Sequence, residues 1–413
     1  MADAGGVAIG PSFHRAAKVR DAGADRTETV ETTLARVLPH LASIGVTRLA
    51  DVTGLDRIGI PVVLSVRPNG PSLSVDAGKG ATRPAATASA VMEAFERHAA
   101  EVAEPECLFL SYDEVAERYP VPPLEHLPLV RNSLFSRTRR EEWTLGWDLF
   151  SRERVALPAH CVRLRHRTGR RPDVVPFQGG SNGLSAGNCL VEAVLGGLLE
   201  VVERDAFACH RLGWELARRP SPRVDPATID APVATQLLDQ YADGGIAVAI
   251  FDLEVDTRVP AYLVQIWDLL APELGIYRGY GAHLDRGVAV TRALAEAAQS
   301  RLVFIAGSRD DAVRHQRRLR RTTDLQTIGS ITAHPPTHDF AGRPPEATRT
   351  IEGDVAVLLR KLAAVGIEQV VVFDLSEVGL PVSVVRIAAP GLEGYVFDNY
   401  RPGRRALAYA GAA

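Results

Sequence analysis

Asn188, Glu192, Glu200 and Glu203 fall at i, i+4, i+12 and i+15, which puts all four on one stripe of a helix. The i+8 position is Gly196, followed by Gly197. Val191, Val194, Leu195, Leu198, Leu199, Val201 and Val202 fill the rest, so such a helix must be largely buried. Buried carboxylates without partners are very costly. Arg204 is the single cation beside them in the sequence. A hard divalent cation would resolve the conflict, because Mg²⁺ takes carboxylate oxygens together with phosphate oxygens and waters. The glycine gap in the stripe would let a ligand approach the helix axis.

Two other segments repeat the theme. Ser89, Glu93 and Glu96 lie at i, i+4 and i+7, with apolar Val91, Met92 and Phe95 beside them. Arg292, Glu296 and Gln299 repeat that spacing, and Arg301 and Arg309 follow. Arginine forks suit phosphate oxygens. Each feature also has a plainer reading. A Glu pair at i, i+3 is usually a solvated face, and Arg292 with Glu296 is usually an ion pair. Gly78-Lys79-Gly80 lacks the phosphate-loop spacing and reads by itself as a turn. The Gly/Ser/Asn loop at 179–187 could be a tight connection. The coincidence decides: three helices each carry carboxylates on one stripe, two of them after Gly-rich loops, and together they favour a magnesium–nucleotide or magnesium–phosphate site.

Those residues must be positioned by a regular framework. Apolar periodicity predicts helices over 29–44, 85–102, 190–207, 289–306 and 354–365. Strands are expected at 58–66, 72–75, 247–253, 261–267, 275–282, 369–374 and 382–387. The first twenty-odd residues look mobile, 105–176 should hold loops and short strands, and 309–350 reads as polar and irregular. Strands and helices alternate without a strict βαβ period, so the expected class is α+β. The pattern ExxER recurs at Glu93–Arg97 and Glu200–Arg204.

With 413 residues, 46% apolar and 23% charged, the chain can bury a large core. A net charge of -3 gives no reason to expect nucleic acid or an anionic membrane as partner. The basic run Arg314, Arg317, Arg318, Arg320 and Arg321 is expected on a solvated helix face or loop. Cys107, Cys161, Cys189 and Cys209 match no zinc spacing. They read as small buried residues in a reducing compartment. With no secretory signal and no run near the roughly 20 apolar residues of a membrane helix, a cytoplasmic location is expected.

At this point the motifs resemble those of the YcaO family. Gly78-Lys79-Gly80-Ala81-Thr82 running into Ser89, Glu93, Glu96 and Arg97 is similar to its first signature. Ser181-Asn182-Gly183-Leu184-Ser185-Ala186-Gly187-Asn188, then Glu192, Glu200, Glu203 and Arg204, is similar to the second. Arg292, Glu296, Gln299 and Arg301 with Arg309-Asp310-Asp311 match the third, and Leu380-Pro381 with Pro390-Gly391-Leu392-Glu393 the late motif. The resemblance covers roughly residues 65–400 and implies a YcaO-type ATP-binding fold with mixed sheets, packed helices and no P-loop. An N-terminal region at 1–64 would precede a YcaO domain at 65–413. It implies ATP and Mg²⁺ as cofactors, with Glu93, Glu96, Glu192, Glu200 and Glu203 as metal ligands. Ser185, Asn188, Arg204, Arg292 and Glu296 would contact nucleotide or metal; Lys79, Ser89 and Gln299 stand in the same motifs. Arg26 and Thr33 match a basic residue and a hydroxyl that approach the nucleotide.

The resemblance also implies a reaction: a nucleophile adds to a peptide carbonyl, ATP phosphorylates the resulting oxygen, and phosphate leaves. Sulfide gives a thioamide, a side chain an azoline, and an amide an amidine. The C-terminal residues Arg401-Pro402-Gly403-Arg404-Arg405 lack the Pro-x-Pro-x-Pro tail common in azoline-forming members, and no fused peptide-binding or E1-like domain is expected. Residues 47–61 resemble members that work with a TfuA partner. Thioamide formation on a ribosomally made peptide or protein, with a TfuA-like sulfur-delivery protein, is therefore the leading expectation, and a homodimer is common in the family. The rivals are an azoline- or amidine-forming cyclodehydratase, a magnesium-dependent phosphohydrolase and a non-catalytic nucleotide-binding partner. No general base stands out among His98, His160, His210 and His283.

Overall fold

A computed structural model describes residues 6–21, 23–164, 176–308, 314–340, 344–394 and 399–411, with backbone alone for 314–322. Every ladder between its named strands is antiparallel, which suits the α+β class. The largest sheet runs Arg154–Pro158, Glu141–Asp148, Val371–Asp374, Ser383–Ala388, Leu184–Gly187, and Cys107–Leu110 also pairs with Glu141–Asp148. A second sheet joins Arg48–Asp51, Val62–Val66 and Val75–Lys79. It runs across residue 64, where the N-terminal region was expected to meet the main domain. A third joins Arg223–Val224, Ile246–Asp252, Ala261–Asp268 and Tyr277–Ala282.

Three long helices lie on these sheets. The first, Arg83–Val102, starts at Thr82, whose side chain accepts from the Ala85 amide, and its Ala-rich sequence favours helix. The second, Leu190–Ala217, is longer than its periodicity suggested and ends where Arg218 turns left-handed. The third, Arg286–Ala306, is capped by Asp285 and closed by Gly307 at φ +62. Alternation along Ser383–Ala388 sends Val385 and Ile387 toward Val194, Leu198 and Val202 of the second helix, and Val384 toward Val91 and Phe95 of the first. The largest sheet thus sits between those two helices. The second sheet sits between Ala86 and Ala90 of the first helix and Leu302 of the third. A Cβ at Gly279 or Gly281 would collide with the Ala293 or Ala289 carbonyl, so the third helix rests directly on Tyr277–Ala282.

Three local expectations are corrected. Gly78 and Lys79 end a strand, not a turn: the missing side chain of Gly78 lets the backbone at Ala86 and Ala90 approach. The N-terminus is tied down by two short hairpins, Val7–Ile9 with Ser12–His14 and Val19–Asp21 with Ala24–Arg26. Lys18 bonds the buried Asp354, and the Ala16 amide donates to Glu352 at 3.0 Å. Residues Arg314–Ala333 form a helix within the stretch expected to be irregular. Its sequence is too polar for a periodic signal, but Asp324 anchors it by accepting from the Ile276 amide. The basic run lies on this helix, with side chains outside the described residues; Arg309, Asp310 and Asp311 also lie outside them. No described helix is long and apolar enough to cross a membrane.

Candidate functional site

Every expected site residue lines one open cleft of about 1370 Å³, between the three helices and the edge strand Leu184–Gly187. The first helix contributes Ser89, Glu93 and Glu96, the second Glu192, Glu200, Glu203 and Arg204, and the third Arg292, Glu296 and Gln299. Ser185 and Asn188 enter from the edge strand and the turn after it, Lys79 from the strand Val75–Lys79, and Arg26 and Thr33 from the N-terminal segment.

The cleft divides by chemistry. At the start of the second helix, Glu192 is already satisfied. Its Oε2 accepts from the Thr27 amide at 2.9 Å and from the Thr27 hydroxyl at 2.5 Å, and Arg26 Nε stands 3.8 Å from Oε1. Asn188 donates to the same carboxylate at 3.3 Å and accepts from the Thr33 hydroxyl at 3.0 Å and from Arg36. With about 1.5 Å rise per residue, Glu192 and Glu200 are about 12 Å apart along the helix, too far for one ion to touch both.

The middle is different. Burial pushes the Glu96 carboxyl well above the usual range, and the charges of Glu200 and Glu93 add to it. Burial also raises Glu200 and Glu203, against the pull of Arg204. For Glu296 burial acts the same way, but Lys79 Nζ at 2.9 Å and Arg204 outweigh it and hold the carboxyl low. The Tyr280 amide also donates to Glu296, at 3.3 Å. Glu96 accepts from the Ala186 amide at 3.1 Å, Arg97 lies 3.6 Å from Glu93, and Arg204 lies 3.4 Å from Glu203. Clustered carboxylate oxygens that resist ionising are a donor set for a hard divalent cation, and the surrounding guanidinium groups suit phosphate.

The glycine gap lies on the cleft wall and also serves the fold. A Cβ on Gly196 would collide with Ser185 Oγ, so the space beside the helix is filled by the edge strand's own hydroxyl. Gln299 donates to the Ala77 carbonyl and so also ties its helix to the second sheet. The sequence reading missed Arg386, which lines the cleft, and Thr27 and Arg36, which bond the cleft residues Glu192 and Asn188. Arg386 had a visible signal: it is a lone arginine inside an apolar strand. Of the histidines, His283 lines the cleft, where burial and Arg292 lower its pKa to about 3, and its Nδ1 accepts from the Asp285 amide at 3.0 Å. Burial lowers His210 to about 4, in contact with Ser221 and Tyr409.

The family described as YcaO cyclodehydratase, ATP- and Mg²⁺-binding, matches residues 77–393. The chain belongs to the YcaO family. An uncharacterized protein from the tfuA 3′ region of Rhizobium leguminosarum bv. trifolii is 36% identical over 391 residues, 91% of this chain and 90% of that protein. An uncharacterized protein of Methanothermobacter thermautotrophicus is 36% identical over 88% of this chain and 94% of its own length. The structure of YcaO from Methanopyrus kandleri bound with AMPPCP and Mg²⁺ superposes with a TM-score of 0.72 at 27% identity, over 94% of this chain and 97% of that one. A heterocyclase in complex with substrate and cofactor shares the fold, with a TM-score of 0.80 at 21% identity over 97% of this chain. This chain spans 57% of the length of that heterocyclase. As a YcaO protein it binds ATP and Mg²⁺. The carboxylates and guanidinium groups of the cleft fit both.

Proposed function

We propose that this YcaO protein activates a peptide backbone amide with ATP and Mg²⁺, and that sulfide then replaces the amide oxygen to give a thioamide. The observation that carries the sulfide reading is the 36% identity, across 91% of the chain, with the Rhizobium protein from the tfuA 3′ region. A TfuA-like protein would deliver the sulfur. ATP supplies the phosphoryl group that turns the amide oxygen into a leaving group. Glu96, Glu200 and Glu203 would hold the metal, with Glu93 beside them. Arg204 and Arg292 would neutralise charge on the transferring phosphoryl group. Lys79 keeps Glu296 ionised in the cleft wall, and Arg26, Thr33 and Asn188 with Glu192 shape the far end. The cleft exceeds the roughly 300–1,000 Å³ of a usual small-molecule site, which leaves room for a second substrate.

The second reading, an azoline- or amidine-forming cyclodehydratase, is favoured by the family's own description. Intact mass separates the two. The chain is produced with a TfuA-like protein and a short peptide encoded beside it. A thioamide adds the mass difference between sulfur and oxygen, whereas loss of one water's mass overturns the sulfide reading. A heavy-oxygen label in the peptide backbone should reach the released phosphate in either case. Phosphate released without label would point to a plain phosphohydrolase.

A further inference from the structure

Arg386 lies on Ser383–Ala388, opposite Leu184 of the edge strand, and it lines the cleft. Its side chain is buried, with 4% exposure for the whole residue, yet Nη1 has no hydrogen-bond partner among the described residues. Leaving a buried guanidinium donor unmatched is costly. The strand neighbours Val384 and Phe373 are apolar, so packing gives no reason for an arginine here. Glu200 and Glu96 are the charged groups that face it, and Cys161 lies beside it. A metal ion held by those glutamates would repel Arg386, so its missing partner is an oxygen carrying negative charge. Beyond it the cleft wall is formed by Pro128, Gln178, Pro390 and Gly394, with His126. That stretch supplies the Gln178 side-chain amide and backbone carbonyls, and the carboxylate of its Glu393 is taken up by Tyr400, Gly403 and Ala406, which suits an extended peptide backbone.

Resting on the amide-activation reading above, we propose that Arg386 donates to the amide oxygen of the peptide as negative charge forms on it, and that the neutral wall beyond holds the flanking backbone. As the nucleophile bonds to the amide carbon, the carbonyl π pair moves to oxygen. That oxygen bonds to the γ-phosphorus while the bond from phosphorus to the bridging oxygen breaks, and its electron pair leaves with ADP. The C–O bond then breaks with its pair on inorganic phosphate. With hydrosulfide as nucleophile, the sulfur's proton passes to the departing phosphate as the C=S bond forms. Arg386 faces the one atom that carries charge before transfer and stays attached to carbon after it.

The test compares two probes with Mg²⁺ by titration calorimetry. AMPPCP represents the ground state, and ADP with tetrafluoroaluminate represents the transferring phosphoryl group with an oxygen in line. Arg386→Met should leave AMPPCP affinity unchanged and weaken the tetrafluoroaluminate complex roughly 100-fold, as loss of an oxyanion donor does. Arg386→Lys should recover part of it, as a charge without the fork. Melting should be unchanged or higher for Arg386→Met, since an unmatched buried charge is gone; if that variant melts early, Arg386→Lys carries the comparison. Equal loss with both probes would place Arg386 on the nucleotide itself and overturn the proposal. So would no loss with either, or a wild type that gains nothing from tetrafluoroaluminate. Failure of the wild type to bind Mg²⁺·AMPPCP would instead count against the nucleotide reading as a whole.

Discussion

Glu192 and Glu200 project from the same helix, two turns apart, into opposite surroundings. The Thr27 amide and hydroxyl, Asn188 and Arg26 already gather around Glu192. Glu200 has Glu96, Glu203 and Glu296 for company, and burial raises its pKa against the pull of Arg204 and Arg386. Both looked alike as members of one acidic stripe. The difference teaches that a stripe can hold two kinds of carboxylate. One kind is satisfied by the protein and fastens the N-terminal segment over the cleft. The other is left short of positive charge, and on the proposed function a bound metal would complete it.

The largest effect should come from the incomplete kind. Glu200→Gln and Glu203→Gln keep the shape and remove the charge. Their affinity for Mg²⁺·AMPPCP should fall by at least the roughly 10–100-fold that changes merely behind a metal ligand bring. Folding should survive, because a neutral amide is easier to bury than a carboxylate without a counter-ion. Calorimetry and a melting curve on each variant check both halves. Retained affinity in the double variant would show that the metal is held elsewhere.

Glu192→Ala should behave in the opposite sense. Hydrogen bonds to a charged group contribute about 1.5–3 kcal/mol, so this change should lower stability by that order and loosen the N-terminal segment. Faster hydrogen exchange at Thr27, with a smaller loss of Mg²⁺·AMPPCP affinity than in Glu200→Gln, is the expected pair of results. An affinity loss as large as that of Glu200→Gln would erase the distinction between the two ends.

Much of this division was hidden from sequence, for identifiable reasons. The three helices were legible because their apolar faces repeat at helical spacing, and the cleft residues were legible because the polar stripes share that spacing. Spacing along one helix cannot show what approaches from elsewhere. Thr27 reaches Glu192 across 165 positions of sequence. Lys18 meets Asp354 in the same way, so the pairing that holds residues 16–18 could not be read from the local sequence. Gly78 was read as part of a turn and Gly196 as room for a ligand, and each admits a neighbouring part of the chain: the first helix at Gly78, Ser185 at Gly196. Arg386 went unremarked because strand periodicity was used to find apolar residues, not the polar exception among them.

The smallest effect concerns pH at the incomplete kind and needs no ligand. Raised values for Glu96, Glu200 and Glu203 mean that the folded state keeps protons that the unfolded chain has already released. Their contribution to stability is therefore fully present below about pH 4.3, the ordinary glutamate value, and is lost as pH rises through the raised values. Ligand-free protein should accordingly lose a little of its melting temperature from this source between mildly acidic and neutral pH. Because metal binding needs the ionised carboxylates, the gain from Mg²⁺·AMPPCP should grow over the same interval. Glu96→Gln removes one of these titrations, and its melting temperature should depend less on pH by a few degrees at most for a chain of this size. Glu192→Gln should instead act by weakening the hydrogen bonds that Thr27 and Asn188 make to that end of the helix. An unchanged pH profile in Glu96→Gln would mean that the fold does not hold its carboxyl protonated.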